Sequence, residues 1–92
     1  MSKYAERLDA LIDTLDDAAA SIKQAQYDLG GPPDAPRGEA LGSISQARKT
    51  LDAAEYQAVA LLRSSGATWQ EVADALGMTR QAAHERFRGS VA

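Results

Sequence analysis

The fold of this chain is decided by the stretch from residue 67 to residue 88, which has the sequence ATWQEVADALGMTRQAAHERFR. Its first half has apolar residues at helical spacing, and these are Trp69, Val72, Ala73 and Leu76. Such a period predicts a short helix with one apolar face. Thr68 and Glu71 form a capping-box pattern, in which the Thr68 hydroxyl accepts from the backbone N–H of Glu71. Gly77 is expected to end this helix, because glycine enters the left-handed conformation at little steric cost.

A second short helix, from residue 80 to residue 88, is predicted after this turn, with Thr79 as its N-cap. Its inner face consists of Ala83 and Phe87, which lie four residues apart. Met78, in the turn, is expected to fill the space between the two helices. A helix, a tight glycine turn and a second helix, with small residues where the helices would cross, are typical of a helix-turn-helix.

Residues 67–88 resemble the bacterial helix-turn-helix DNA-binding domains, especially the three-helix type akin to the promoter-binding C-terminal domain of sigma factors. The positions that carry this resemblance are Ala73, Gly77, Ala83 and Phe87. The preceding segment, AAEYQAVALLRSSG at residues 53–66, resembles the first helix of such domains and the turn after it. The resemblance covers about residues 51–88. It implies a sequence-specific DNA-binding protein, a bacterial transcriptional regulator whose partner is double-stranded DNA. Nothing in the first thirty residues resembles a signal peptide, so the cytoplasm is the expected compartment.

The resemblance also implies which residues contact bases, because the second helix enters the major groove with its N-terminal half nearest the bases. The matching positions are Thr79, Arg80, Gln81, His84 and Glu85. Arg80 can donate two hydrogen bonds to guanine, and Gln81 can pair with adenine. The alternatives are that Arg80 neutralises a phosphate and that Gln81 is an ordinary exposed residue. Glu85 either accepts from cytosine N4 or, as we expect, pairs with Arg88 three residues on.

Contacts to phosphate are expected from Thr68, Gln70, Arg86 and Arg88. Contacts of this kind position a protein on the duplex without specifying sequence. The alternative for the two arginines is a solvated helix end that interacts favourably with the helix dipole. Trp69, the only tryptophan, is expected to be partly buried against the neighbouring helix, the alternative being a stack on a sugar-phosphate.

The N-terminal part of the chain predicts a helix from about Lys3 to Leu29, because its apolar residues repeat alternately every four and every three residues. These residues are Tyr4, Leu8, Leu11, Leu15, Ala18, Ile22, Ala25 and Leu29. Residues 30–36, with the sequence GGPPDAP, form a glycine-proline linker that ends this helix. Asp34 is expected to cap the helix that follows.

A second long helix is predicted from residue 37 to residue 64. Its main apolar stripe would pack along the N-terminal helix and consists of Leu41, Ile44, Ala47, Leu51, Ala54, Ala58 and Leu61. Another stripe is predicted to pack on the helix-turn-helix and consists of Tyr56, Val59, Ala60 and Leu62. The heptad seam leaves two arrangements open: a hairpin within one chain, or pairing of the N-terminal helix with its copy in a second chain. We expect a homodimer that involves the N-terminal helices.

The predicted fold is all-α, with a long helical hairpin in residues 1–50 and a three-helix helix-turn-helix unit in residues 51–92. Good helix formers dominate the 92 residues, while β-branched and aromatic residues are few. There is no cysteine, and His84 is the only histidine, so a metal site or a catalytic group is not expected. The sequence therefore predicts no enzymatic activity and no cofactor. No segment is apolar enough to predict a membrane span.

Charge is distributed unevenly along the chain, whose net charge is −3. Residues 1–36 hold three basic and seven acidic groups, whereas residues 37–92 hold seven basic and six acidic groups. From residue 78 onward there are three arginines and one glutamate. This distribution concentrates positive potential on the predicted DNA-contacting helix. The alternative function is a protein-interaction module, in which the acidic hairpin binds a regulator or RNA polymerase and the helix-turn-helix does not contact bases.

Overall fold

The computed structural model of the protein describes residues 2–34 and 37–90, and these residues are helical with short connections. The four α-helices are α1 (Lys3–Leu29), α2 (Glu39–Ser64), α3 (Trp69–Leu76) and α4 (Arg80–Phe87). A 3₁₀ turn, Arg88–Ser90, follows α4. No strand occurs within the described ranges, so the predicted all-α class is confirmed.

The ends of the long helices agree with the sequence pattern except at the start of α2. The bounds predicted for α1 are confirmed, and the Ser2 hydroxyl accepts from the backbone N–H of Ala5 at 3.1 Å. The prediction that Asp34 caps α2 is wrong, because this helix begins five residues later, at Glu39. A turn precedes it instead, in which the backbone N–H of Ala40 donates to the Arg37 carbonyl at 3.1 Å. Residues 35 and 36 of the predicted linker lie outside the described residues.

The chain divides into two compact units, and the division falls inside both long helices. One unit, the hairpin unit, consists of residues 10–54. The other contains residues 55–90 together with residues 2–9, and we call it the helix-turn-helix unit after the two short helices α3 and α4 and the turn between them.

In the hairpin unit α1 and α2 lie side by side, so the arrangement of the two long helices within one chain is the one observed. Most residues buried along the seam are alanines that recur every seven positions, Ala18 and Ala25 on α1 and Ala40, Ala47 and Ala54 on α2; Leu11 is buried one interval before Ala18. Alanines at these positions allow two helices to approach closely, since nothing longer than a methyl group stands between them. The larger aliphatic residues of the predicted seam are about half exposed, as Leu15 and Ile22 show with 45% and 44%.

The helix-turn-helix unit has a core of larger side chains. Phe87 is 0% and Val72 2% exposed, and they pack with Val59, Ala73 and Ala83. The C-terminal part of α2 thus supplies the third helix of this unit. The predicted stripe of α2 is correct for Val59 but wrong for Leu62, which is 50% exposed, whereas its neighbour Leu61 is 7% exposed.

The turn between α3 and α4 has the predicted local structure. The backbone N–H of Glu71 donates to Thr68 Oγ1 at 3.1 Å, so Thr68 caps α3. Gly77 ends this helix with a φ of +68°, in the left-handed region. Thr79 Oγ1 accepts from the backbone N–H of Ala82 at 3.1 Å and caps α4. These caps determine where α4 begins and therefore which of its residues point away from the core.

Candidate nucleic-acid interface

The outer side of α4 is exposed, and the buried side explains why. Ala83 and Phe87 are each 0% exposed, and this orients the helix about its own axis. The five residues predicted to contact bases are all exposed, and they are Thr79, Arg80, Gln81, His84 and Glu85. The arrangement therefore presents the predicted set on one accessible surface of the helix-turn-helix unit.

Two shallow depressions lie beside one another at the start of α4, and Arg80 and Trp69 border both. The first is lined by Trp69, Arg80, Gln81 and His84. The second is lined by Arg63, Thr68, Trp69, Gln70 and Arg80. The structure thus brings residues predicted to contact bases next to two of those predicted to contact phosphate. We call this surface the Trp69 surface.

Trp69 is partly buried, as predicted, and two side chains hold its ring. The guanidinium carbon of Arg63 lies 4.6 Å from the centroid of the ring, a cation–π distance. The His84 ring stands nearly perpendicular to it, with the centroids 5.2 Å apart and an interplanar angle of 89°. Because Trp69 belongs to α3 and His84 to α4, this contact helps to set the positions of the two helices. Whether the tryptophan also stacks on a sugar-phosphate stays a prediction.

Arg63 belongs to this surface but was not among the residues predicted from the sequence. Its Nη1 donates to the Ala67 carbonyl at 2.7 Å, so it bridges the end of α2 and the loop before α3. The sequence offered only one signal, a basic residue in the last turn of a helix, which is common because it favours the helix dipole. Arg63 becomes part of a cationic surface because it lies next to Trp69 and Arg80, and this placement depends on the loop between α2 and α3.

Hydrogen-bonding capacity on the Trp69 surface suits an anion. The Thr68 hydroxyl oxygen accepts from a backbone N–H, which leaves its own O–H free to donate. Among the side chains that the structure describes, one ion pair is present, and it involves neither Arg63 nor Arg80. Two guanidinium groups and a hydroxyl donor can therefore face a phosphate without first breaking a salt bridge.

The two glutamines have carboxylate partners one turn further along their helices. Gln70 Nε2 donates to Asp74 Oδ1 at 2.8 Å, a good hydrogen bond. Gln81 Nε2 lies 3.4 Å from Glu85 Oε1, at the weak limit of such a bond. Gln81 can therefore release its amide to a base more easily than Gln70 can release its amide to a phosphate.

The expected pairing of Glu85 with Arg88 is wrong. The backbone of Arg88 still has helical conformation, and its N–H donates to the His84 carbonyl, but among the described side chains no ion pair joins Arg88 to Glu85. Gln81 lies four residues before Glu85 within the same helix and contacts this carboxylate instead.

Arg86 is placed differently from the other arginines of this region. Its Nη2 lies 2.8 Å from Glu55 Oε1, and its guanidinium carbon is 4.9 Å from the centroid of the Phe87 ring. It therefore connects α4 to α2 at the level of the core and is not part of the Trp69 surface. The Arg88 side chain, by contrast, is exposed.

In residues 2–34 and 37–90, no three histidine or carboxylate side chains converge as ligands of a metal ion. No helix in the described part of the chain is long and apolar enough to cross a membrane. Comparison of the chain with protein-family models, with curated proteins and with solved structures found no match. Inference about function therefore depends on the geometry of the Trp69 surface and of α4.

Proposed function

We propose that this protein is a sequence-specific DNA-binding protein, a cytoplasmic transcriptional regulator of the bacterial helix-turn-helix type, which contacts the major groove with residues 79–88. The observation that supports this proposal most directly is the orientation of α4. Ala83 and Phe87 are buried, while Arg80 and Gln81 are exposed beside a cationic surface. An α-helix presented in this way has the dimensions to enter the major groove of B-DNA.

Specificity would come from the first turn and a half of α4. Arg80 can donate to guanine O6 and N7, and Gln81 can donate to adenine N7 while accepting from its N6 amino group. A good bidentate pair of this kind is worth about 1–3 kcal/mol of discrimination between bases. Thr79, His84 and Glu85 lie on the same exposed surface and complete the set of side chains that reach base edges.

Position on the duplex would come from contacts to the phosphates on either side of the groove. Arg63 and Thr68 adjoin Arg80 on the Trp69 surface, so a helix in the groove would bring them near the backbone of one strand. Gln70 and Arg88 are further exposed donors. Arg86 can donate to a phosphate only if its guanidinium group first leaves Glu55. These contacts make binding dependent on salt, because each neutralised phosphate releases counterions.

The protein would act as a homodimer through its N-terminal helices. A single helix-turn-helix with these few cationic groups contacts few phosphates, and the net charge of −3 opposes binding of one copy. Two linked copies convert the second contact with DNA into an intramolecular event, which raises the overall affinity.

The test uses fluorescence anisotropy of the full chain with a duplex selected from a random library and with a random duplex. Arg80→Ala is expected to weaken binding to the selected duplex by about 5-fold to 150-fold, and to weaken binding to the random duplex less, because a base contact is lost. Arg88→Ala is expected to weaken both equally and to reduce the salt slope by about 1, because a phosphate contact is lost.

Two controls complete this experiment. Lys49→Ala removes an exposed basic residue of the hairpin unit and is expected to leave the ratio between selected and random duplex unchanged. Equal losses on both duplexes for Arg80→Ala, or a salt slope near zero for the unsubstituted chain, would contradict the proposal. Absence of binding at low salt, together with capture of RNA polymerase by the full chain, would instead favour the protein-interaction module.

A further inference from the structure

The hairpin unit has two unlike sides, and the alanine seam separates them. Large aliphatic residues stand four positions after Leu11, Ala18, Ala25, Ala40 and Ala47, and they are Leu15, Ile22, Leu29, Ile44 and Leu51. The last buried alanine of the unit, Ala54, is followed at this spacing by Ala58. Residues three positions after the same five buried residues are polar: Thr14, Ser21, Asp28, Ser43 and Thr50. In a helix these two sets lie to the left and right of the seam residues. We call the first set the aliphatic face.

The aliphatic residues of both helices lie on the same side of the hairpin. A groove between α1 and α2 is lined by Ile22 and Leu29 from one helix and by Ile44 and Leu51 from the other. Alanine side chains form the floor of this groove, since Ala25 and Ala47 also line it. The close approach of the helices thus pushes the longer side chains out of the seam and onto one side.

The side chains of the aliphatic face are about half exposed. Its five residues are between 41% and 52% exposed, and Ile12 and Leu41, at its edge, are 44% and 71% exposed. Together they expose on the order of 600 Å² of mostly apolar surface, at the top of the range for the largest patch of a monomer. Two such faces in contact would bury roughly 1,200 Å², the lower end of a stable protein interface.

Charges at the edge of the aliphatic face indicate what covers it. The charged residues that line the groove together with the aliphatic positions are Arg48 and Asp52. They carry no net charge, although the hairpin unit as a whole has seven acidic and four basic groups. A membrane surface or a strongly charged partner would select an edge of one sign. An edge with both signs in equal number can pair with itself, as a two-fold symmetric contact requires.

We infer that a second copy of this chain covers the aliphatic face, so that the two hairpins form a four-helix bundle. The inference identifies the surface through which the proposed homodimer forms. It rests on the proposed function for the role of the dimer, but the dimer itself does not depend on DNA binding. The bundle gives the exposed aliphatic side chains the second layer that a one-sided helical pair lacks. The polar sides of the two hairpins face the solvent.

The test measures the mass of the full chain by light scattering without DNA, over a range of protein concentrations. The unsubstituted chain is expected at twice the mass of one 9.8 kDa chain. Ile22→Glu and Leu51→Glu are expected to weaken association at least about 100-fold, because they bury a charge in the interface. Both positions are 44% exposed in the single chain, so the hairpin itself tolerates a glutamate there.

Matched controls are available two residues away on each helix. Ala20 and Ala53 are exposed and lie about 160° around their helices from the two test positions. Ala20→Glu and Ala53→Glu add the same charge and are expected to leave the mass of the dimer unchanged. Circular dichroism checks that all four variants keep the helical content of the unsubstituted chain.

Three results would overturn the inference. The first is the mass of a single chain at about 100 µM protein, a concentration well above useful dissociation constants. The second is an intact dimer in Ile22→Glu, and the third is an equal loss of association in Ile22→Glu and Ala20→Glu. A single-chain mass combined with binding to uncharged phosphatidylcholine vesicles would assign the face to lipid instead. If the unsubstituted chain has the mass of a dimer but does not bind DNA, the result counts against the proposed function alone. The failure of the proposed function and the failure of this inference are therefore distinguishable.

Discussion

The two units of this protein bury different kinds of residues. In the helix-turn-helix unit, two helices of eight residues and part of α2 enclose Phe87 and Val72, which are 0% and 2% exposed. In the hairpin unit, two helices of 27 and 26 residues bury mainly alanines and leave Leu and Ile half exposed. Three helices that cross can surround a large side chain, whereas two helices lying side by side can bury only the residues along their line of contact. A pair of long helices therefore does not by itself bury its large apolar side chains.

The largest effect is expected from removal of the aromatic ring at the centre of the smaller core. Phe87→Ala should lower the free energy of unfolding of the helix-turn-helix unit by about 3–5 kcal/mol, because it leaves a cavity among residues that cannot collapse fully. Urea unfolding followed by the fluorescence of Trp69, the only tryptophan, reports on this unit. A loss under 1 kcal/mol would mean that Phe87 is not the centre of a closed core.

A smaller loss is expected when the alanine seam is widened. Ala25→Leu adds three carbons where Ala25 is 5% exposed, and should cost about 1–3 kcal/mol through displacement of α2 from α1. Far-ultraviolet circular dichroism during urea unfolding measures it. The matched control is Ala20→Leu on the exposed side of the same helix, with an expected change within about 0.5 kcal/mol. Equal effects at the two positions would show that the seam does not require small residues.

The smallest effects are expected at two glycines, and they should have opposite signs in the two units. Gly77→Ala should destabilise by about 1 kcal/mol, because its φ of +68° is unfavourable for a residue with a side chain. Gly42→Ala should stabilise by about 0.5–1 kcal/mol, since this glycine lies within α2 and an added Cβ meets nothing within 4 Å. Thermal unfolding of both variants measures the two shifts. Stabilisation by Gly77→Ala would contradict the left-handed cap.

Much of the local structure could be predicted because it depends on residues close together in the chain. The bounds of α1, the Thr68 and Thr79 caps and the Gly77 turn follow from hydrogen bonds or backbone conformations that span three to five residues. The exposed side of α4 could also be predicted, since Ala83 and Phe87 have helical spacing and only their side is apolar. For the same reason the sequence identified most residues of the Trp69 surface.

The errors concern interactions whose partners lie outside the local pattern. Leu62 was predicted to pack on the helix-turn-helix and is 50% exposed, whereas Leu61, predicted to pack along the N-terminal helix, is 7% exposed. Glu85 contacts Gln81, one turn earlier on α4, and not Arg88. Arg63 became part of a candidate phosphate-binding surface through a loop conformation that no periodicity describes.

The sequence by itself determined the all-α class, the helix ends set by glycine and by threonine caps, and the surface of α4 that faces outward. These properties need only the preferences of single residues and the helical period. Tertiary structure decided the rest: the placement of Arg63 over Trp69, the use of Arg86 to hold Glu55, and the choice of alanines for the seam of the hairpin. A heptad pattern specifies that one stripe of a helix is apolar, but the distance between two helices decides which residues of that stripe are buried and which remain exposed to a partner.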